Sequence, residues 1–182
     1  MTRTVALLHV CCGPCSTDVI DRLAEDFELV LYFFNPNIHP KEEYERRLAE
    51  SERYAREHGI PFMRGGWDHD GWLAAIRGLE QEAEGGKRCT ACFGYRLDAA
   101  ARKAREEGAS LFTTTLTVSP HKNAASVIAA GEAAGRKAGV PFLSSDFKKQ
   151  DGFLKSCRKA RDAGMYRQEY CGCEYSVRSP KI

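Results

Sequence analysis

"LLHVCCGPCS", residues 7–16, closes a short apolar run with two adjacent cysteines, a Gly-Pro break and a third cysteine. Extended back to Val5, the run VALLHV reads as a buried strand. The residues from about Ser16 to Asp26 read as the helix after it. A strand that passes through Gly and Pro into a helix is the first half of a β-α unit. Neighbouring residues of a regular strand point to opposite faces. Cys11 and Cys12 can therefore serve one site only where the strand breaks, and Gly13-Pro14 supplies that break.

The same unit recurs along the chain. ELVLYFF (28–34), IPFMR (60–64), SLFTTTL (110–116) and VPFLSSDF (140–147) are further strand candidates. Between them, PKEEYERRLAESERYAREHG carries Tyr44, Leu48, Ser51 and Ala55 at helical spacing, with Gly59 suited to the C-cap. Helices are also predicted near GWLAAIRGL, after EGGKRC, and over NAASVIAAGEAAGRKAG. The reading is a single α/β domain over residues 1–182, a doubly wound parallel sheet of about five strands with right-handed crossovers. In such sheets ligands bind beyond the carboxyl ends of the strands. That edge gathers CCGPCS, NPNIHP, TLTVSPHKN and SDFKKQDG.

At 182 residues the chain can bury a core without staples, since a domain of this size hides about 70% of its unfolded surface. Its eight cysteines are not needed to hold a miniature fold together. MTRTVALLHV lacks the pattern of a secretory signal, and no apolar run approaches the roughly 18 residues of a membrane span. The expectation is a soluble cytoplasmic protein with no membrane partner, where clustered cysteines bind metal or do redox chemistry. Net charge is +2 but uneven: residues 147–182 hold nine Lys or Arg against four Asp or Glu. A basic C-terminal segment suits a polyanion, or simply a solvated helix face.

Cys89 and Cys92 form C-x-x-C at a predicted helix start, a position that favours thiolate and metal binding. If that loop meets Cys11 and Cys12, four sulfurs converge, enough for zinc or an iron–sulfur cluster. Cys171 and Cys173 flank one glycine. They read as a labile redox pair or as two further metal ligands. Cys157 reads as a small hydrophobe in a helix.

The pieces LLHVCCGPCS, YFFNPNIHPKEEYERR, GGKRCTACFGYRL, FTTTLTVSPHKN, DFKKQDG and MYRQEYCGCEYS stand in order over nearly the whole chain. Together they resemble the cobalamin-independent epoxyqueuosine reductases. The resemblance implies a fold similar to the adenine-nucleotide alpha-hydrolase (HUP-like) type, with a C-terminal helical Cys-Gly-Cys extension. It implies reduction of epoxyqueuosine to queuosine at the wobble position of tRNA, with electrons from an external donor. It also implies a [4Fe-4S] cluster on Cys11, Cys12, Cys89 and Cys92 and a redox-active pair at Cys171 and Cys173. Cys15 stands where some of the family carry Asp, which makes it a candidate ligand for an additional iron.

Around these, His9 and His121 are candidate proton donors or local hydrogen-bonding groups. Asp68, His69 and Asp70 could bind metal or substrate, or only shape a turn ahead of a helix. Ser119-Pro120 suits an anion contact. Asn35 and Asn37 suit a base or diol, or turns. Tyr166, Arg167, Gln168 and Tyr170 are of the types that stack on and read a splayed anticodon loop. Lys148, Lys149, Arg158, Lys159 and Arg161 could meet its phosphates.

Three rival readings exist: a non-catalytic zinc-binding RNA-binding protein, an ATP-dependent sulfurtransferase of the same fold, and a plain thiol–disulfide oxidoreductase. The second would want a Gly-rich S-G-G-x-D-S loop where CCGPCS stands, and the third leaves Cys11 and Cys12 without a role.

Overall fold

The computed structural model describes residues 3–176. Arg178 and Lys181 of the basic segment lie outside them. Four parallel strands, β1 (Thr4–His9), β2 (Phe27–Phe33), β3 (Phe62–Arg64) and β4 (Leu111–Thr114), form one sheet in the order β3-β2-β1-β4. Helices α1 (Gly13–Ala24), α2 (Lys41–Glu57), α3 (His69–Ala75), α4 (Lys87–Glu106), α5 (Ala124–Ala138) and α6 (Gly152–Asp162) complete the fold.

Period-2 burial explains why the sheet is covered twice. Ala6, Leu8, Leu29, Leu31 and Phe33 belong to one apolar cluster, with residues of α1, α2 and α6. Leu7, Tyr32, Phe34 and Phe112 belong to another, with residues of α4 and α5. Alternate residues of one strand thus feed opposite layers. The chain steps from β1 outward to β3, then crosses back to place β4 on the other side of β1. The gap between the carboxyl ends of β1 and β4 is the switch point, where α/β sheets open a crevice.

The expected fifth strand is reduced to a single bridge, Phe112 to Phe142. Phe112 N–H donates to the Pro141 carbonyl and Leu143 N–H to the Phe112 carbonyl, at 3.0 and 2.8 Å. Pro141 has no N–H to extend the ladder. Beyond the bridge, side chains take over: the Thr117 hydroxyl donates to the Ser145 carbonyl at 3.0 Å, and Ser144 to Glu132 at 2.8 Å. The strand expected to reach Leu116 stops at Thr114, where Thr114 caps a 3-10 turn over Thr115–Val118.

Several expected RNA contacts are part of this scaffold. Lys159 lies 2.8 Å from Asp18 and 2.6 Å from Asp21, tying α6 to α1. Lys148 Nζ donates to the Lys122 carbonyl at 3.0 Å. Tyr166 donates to Glu43 and Tyr170 to the His39 carbonyl. Lys149, Arg158 and Arg161 remain exposed.

Candidate active site

β1 ends at His9, and Cys12 is the extended N-cap of α1. The strand breaks where Gly13-Pro14 required, and the two adjacent thiols turn together: their sulfurs are 3.8 Å apart. Cys15, one turn into α1, joins them, so that all three sulfurs lie within 4.8 Å of one another. Cys12 and Cys15 therefore form a second C-x-x-C at a helix start. That spacing was legible in the sequence but is masked by the neighbouring Cys11.

Thr115, just past β4, locks this group across the switch point. Its hydroxyl accepts from Cys11 N–H at 3.0 Å and donates to Cys11 Sγ at 3.2 Å. Hydrogen bonds from Cys12, then Cys15, hold the Cys11 thiol well below the ordinary range. The contact with Cys11 chiefly pushes Cys12 up to about 12, and also drives Cys15 well upward. Three thiols this close cannot all ionise unless a cation lies between them. A tetrahedral ion with metal–sulfur bonds of about 2.3 Å spaces its sulfurs by about 3.8 Å, which is the Cys11–Cys12 separation.

Cys89 and Cys92 open α4, the other helix start at this edge. They do not join the close group. They line a second, smaller cavity with Trp72, Arg88, Cys171 and Cys173. The first cavity, about 290 Å³, is lined by Cys11, Cys12, Cys15 and Cys171 among others. Asn37, Glu84, Arg96, His121, Lys122 and Cys171 line both. Burial pushes Cys92 up to about 11 and raises Cys173. All eight cysteines are free thiols.

The Cys-Gly-Cys segment reaches this place through its backbone. Arg47, buried and paired with Glu43 at 2.6 Å, donates to the carbonyls of Cys171 and Tyr170. His39 N–H donates to the Gly172 carbonyl at 2.9 Å. Gly172 sits at φ +127°, where a Cβ would meet Ile38 at 3.0 Å and Arg47 at 3.1 Å.

A four-iron cluster takes its cysteines on separate irons, so it needs sulfurs arranged around a cavity. Cys11 and Cys12 line the first cavity and Cys89 and Cys92 the second, and the two cavities adjoin at the lining residues they share. These cysteine sulfurs also receive donors suited to negative charge. Thr115 serves Cys11, Gln168 Nε2 serves Cys12 at 3.0 Å, and Gly85 N–H serves Cys89 at 3.2 Å. Arg96 Nε is buried without a partner, the Trp72 indole is directed at the Cys92 sulfur, and both side chains line the second cavity. The donor set and these buried N–H groups fit an anionic metal–sulfur guest.

Other expected residues take different places. His9 is fully buried. Its Nε2 donates to the Phe34 carbonyl at 3.0 Å, and its Nδ1 accepts from the Thr114 hydroxyl at 2.8 Å. Burial, then Arg96, pulls its pKa from 6.5 to about 3, so it stays neutral. His121 is exposed and borders both cavities. Asn35 is spent on the Val10 carbonyl and Arg96. Asn37 lines both cavities, and its Oδ1 is buried without a partner. Asp68 caps α3 and accepts from Tyr95. Ser119 lies on the first cavity, while Asn123 caps α5.

The site also contains residues that sequence reasoning missed: Arg96, Lys122, Thr115 and Trp72. Arg96 could have been found, since it lies one helical turn after Cys92. Lys122 is disfavoured as a cation by burial, yet the sulfurs of Cys171, Cys11 and Cys15 raise its pKa on balance.

Residues 6–179 match the family model described as Epoxyqueuosine reductase QueH. A protein of that name from Streptococcus pyogenes serotype M1 is 39% identical over 99% of this chain and 73% of its own length. One from Haemophilus influenzae is 39% identical over 94% of this chain and 71% of its own. One from Thermotoga maritima is 33% identical over 94% and 89%. Among solved structures, the U34-tRNA thiolase NcsA from Methanococcus maripaludis with its [4Fe-4S] cluster superposes with a TM-score of 0.60 at 14% identity. The match covers 97% of this chain and 62% of that one. At that identity the likeness is one of fold, the doubly wound parallel type. Among the described residues, no helix is long and apolar enough to cross a membrane.

Proposed function

The chain belongs to the epoxyqueuosine reductase QueH family, and from that membership we propose that it converts epoxyqueuosine to queuosine at the wobble position of tRNA in the cytoplasm. The reaction removes the epoxide oxygen as water and leaves an alkene, consuming two electrons and two protons. Cys11, Cys12, Cys89 and Cys92 would hold a [4Fe-4S] cluster, with Cys15 as a ligand of an additional iron. When bound, such a centre supplies one-electron transfer and Lewis acidity.

The chain's own residues do the rest. Oxidation of the Cys171 and Cys173 thiols to a disulfide releases two electrons and two protons, which balances one turnover. An external donor then restores the dithiol. Asn37 Oδ1 is a buried acceptor aimed at no protein group, suited to a hydroxyl of the modified base. Lys122 holds a positive charge on the cavity wall, where it stabilises negative charge on the departing oxygen and can give it a proton at Nζ. Arg167 and His121, exposed at the cavity rim, meet the anticodon loop.

The observation that carries this reading is the convergence of cysteines from three distant segments on two cavities that share Cys171. Protein purified without oxygen is expected to be brown, to hold about four irons per chain, and to convert epoxyqueuosine in tRNA, read by mass analysis of released nucleosides. A Cys171→Ser, Cys173→Ser double variant should keep its iron yet lose multiple turnover. Colourless wild-type protein with stoichiometric zinc and no conversion would overturn the reading in favour of a zinc-binding RNA-binding protein.

A further inference from the structure

A second group of ligand-bearing side chains stands behind the Cys-Gly-Cys segment and contains no cysteine. One ligand atom from each of His39, His69 and Glu174 lies within 4.8 Å of the other two. His69 Nδ1 is 2.7 Å from the Pro36 carbonyl oxygen. A carbonyl only accepts, so Nδ1 carries the proton in the neutral ring and Nε2 presents its lone pair. That lone pair faces Glu174 Oε1 at 3.4 Å. The separation is longer than the 2.7–2.9 Å or so of a charge-assisted hydrogen bond. A lone pair and a carboxylate oxygen held face to face are joined either by a proton on Nε2 or by a metal cation between them.

His39 supplies the third ligand. Its ring lies 5.3 Å from that of His69, and its Nδ1 is buried with no hydrogen-bond partner. Zinc bonds to imidazole nitrogen and carboxylate oxygen of about 2.0–2.1 Å, at tetrahedral angles, separate neighbouring ligand atoms by about 3.4 Å. The His69–Glu174 edge already has that length. The carbonyl of Pro36 on His69 Nδ1 is the outer contact that fixes a ligating histidine in orientation and tautomer. Trp67 and Trp72 stack against the His69 ring, at 5.0 and 5.5 Å between centroids, and hold its plane.

We propose that His39, His69 and Glu174 form a divalent-cation site, separate from the cysteines, that takes zinc and pins the Cys-Gly-Cys segment in place. Two imidazoles and one carboxylate are a zinc donor set, with a fourth position left for water. Glu174 directly follows Cys173, while His39 grips the Gly172 carbonyl through its own N–H. An ion here would join the loop after β2, the start of α3 and the segment that carries both redox thiols. Trp72, stacked on His69, is buried in one apolar cluster with Cys92 and Cys173. The inference rests on these three side chains and does not require the cysteines to hold a cluster.

The test uses protein purified without oxygen and dialysed against zinc, with zinc and iron measured together. Wild type is expected to retain about one equivalent of zinc that Cys15→Ser also retains. His69→Gln and Glu174→Gln should each lose it with iron unchanged. Glu174 is exposed, so its variant reports on the site even if loss of His69 harms folding. Cobalt in place of zinc should give visible d–d bands without thiolate charge transfer, and these should vanish in Glu174→Gln. Wild type that retains no zinc, or zinc that survives Glu174→Gln and disappears in Cys15→Ser, would overturn the site. In those cases His69 and Glu174 are an ion pair of imidazolium and carboxylate.

Discussion

The two helix starts that carry C-x-x-C use the same local motif in opposite ways. At α1, Cys12 and Cys15 close on Cys11 in one group whose sulfurs hydrogen-bond to each other. At α4, Cys89 accepts from a loop N–H, while Cys92 is buried against Trp72, Ile76 and Cys173. The first start is compact, its three sulfurs within 4.8 Å of one another. The second sets its sulfurs along a cavity wall. A C-x-x-C spacing places two thiols on one side of a helix start. The neighbouring segment decides whether they act together: an adjacent cysteine and Thr115 at α1, an aromatic wall and the Cys-Gly-Cys segment at α4.

The largest expected effect tests whether the two starts share one cofactor. Cys12→Ala and Cys92→Ala should each remove the chromophore and bring conversion to background, because each takes a ligand from the proposed common cluster. Iron analysis decides it. Four irons retained in either variant would split the starts into independent sites.

Next comes the segment that touches the α4 start. Gly172→Ala forces a Cβ onto Ile38 and Arg47 at a positive φ. It should cost about 1–3 kcal/mol and slow turnover with the iron content unchanged. Thermal unfolding that matches wild type would mean the segment is not held as described.

Beneath the α1 start, His9 gives a pH signature on the acid side, whereas the raised Cys92 of the α4 start lies on the alkaline side. Its folded pKa of about 3 lies below 6.5, so the unfolded chain binds the extra proton as pH falls. Its contribution is fully present above pH 6.5 and is lost as pH drops towards 3. Denaturation of anaerobic protein from pH 6.5 down should show wild type losing about 1.4 kcal/mol per pH unit more than His9→Gln. Parallel curves would mean that the folded ring accepts a proton.

The smallest effect concerns α6, which packs on α1. Replacing exposed Arg158 or Arg161 by Gln should flatten the salt dependence of tRNA binding by roughly 0.7–0.9 in log–log slope each. Lys159→Gln should leave the slope alone and cost at most about 1 kcal/mol, as its charge is engaged with Asp18 and Asp21. Equal slope changes in all three would return Lys159 to the RNA-facing set.

The layers of the fold were readable because burial has a period. VALLHV, ELVLYFF and the helical runs state which face is apolar within a few residues, and their alternation selects a parallel sheet covered on both sides. The fifth strand was over-read because an apolar run says nothing about whether a ladder partner is available, and Pro141 removes a donor within it.

By itself the sequence determined that a strand breaks at Gly13-Pro14, that a C-x-x-C opens α4, and that both lie at the carboxyl edge of a parallel sheet. Those are local facts of spacing, backbone freedom and handedness. Tertiary structure alone decided that Cys171 borders both cavities, that Lys159 faces α1, and that Glu174 meets His69. These meetings join residues up to 160 positions apart. Their geometry is set by how crossovers and a buried arginine dock the end of the chain against its beginning, and no periodicity within a single segment encodes it.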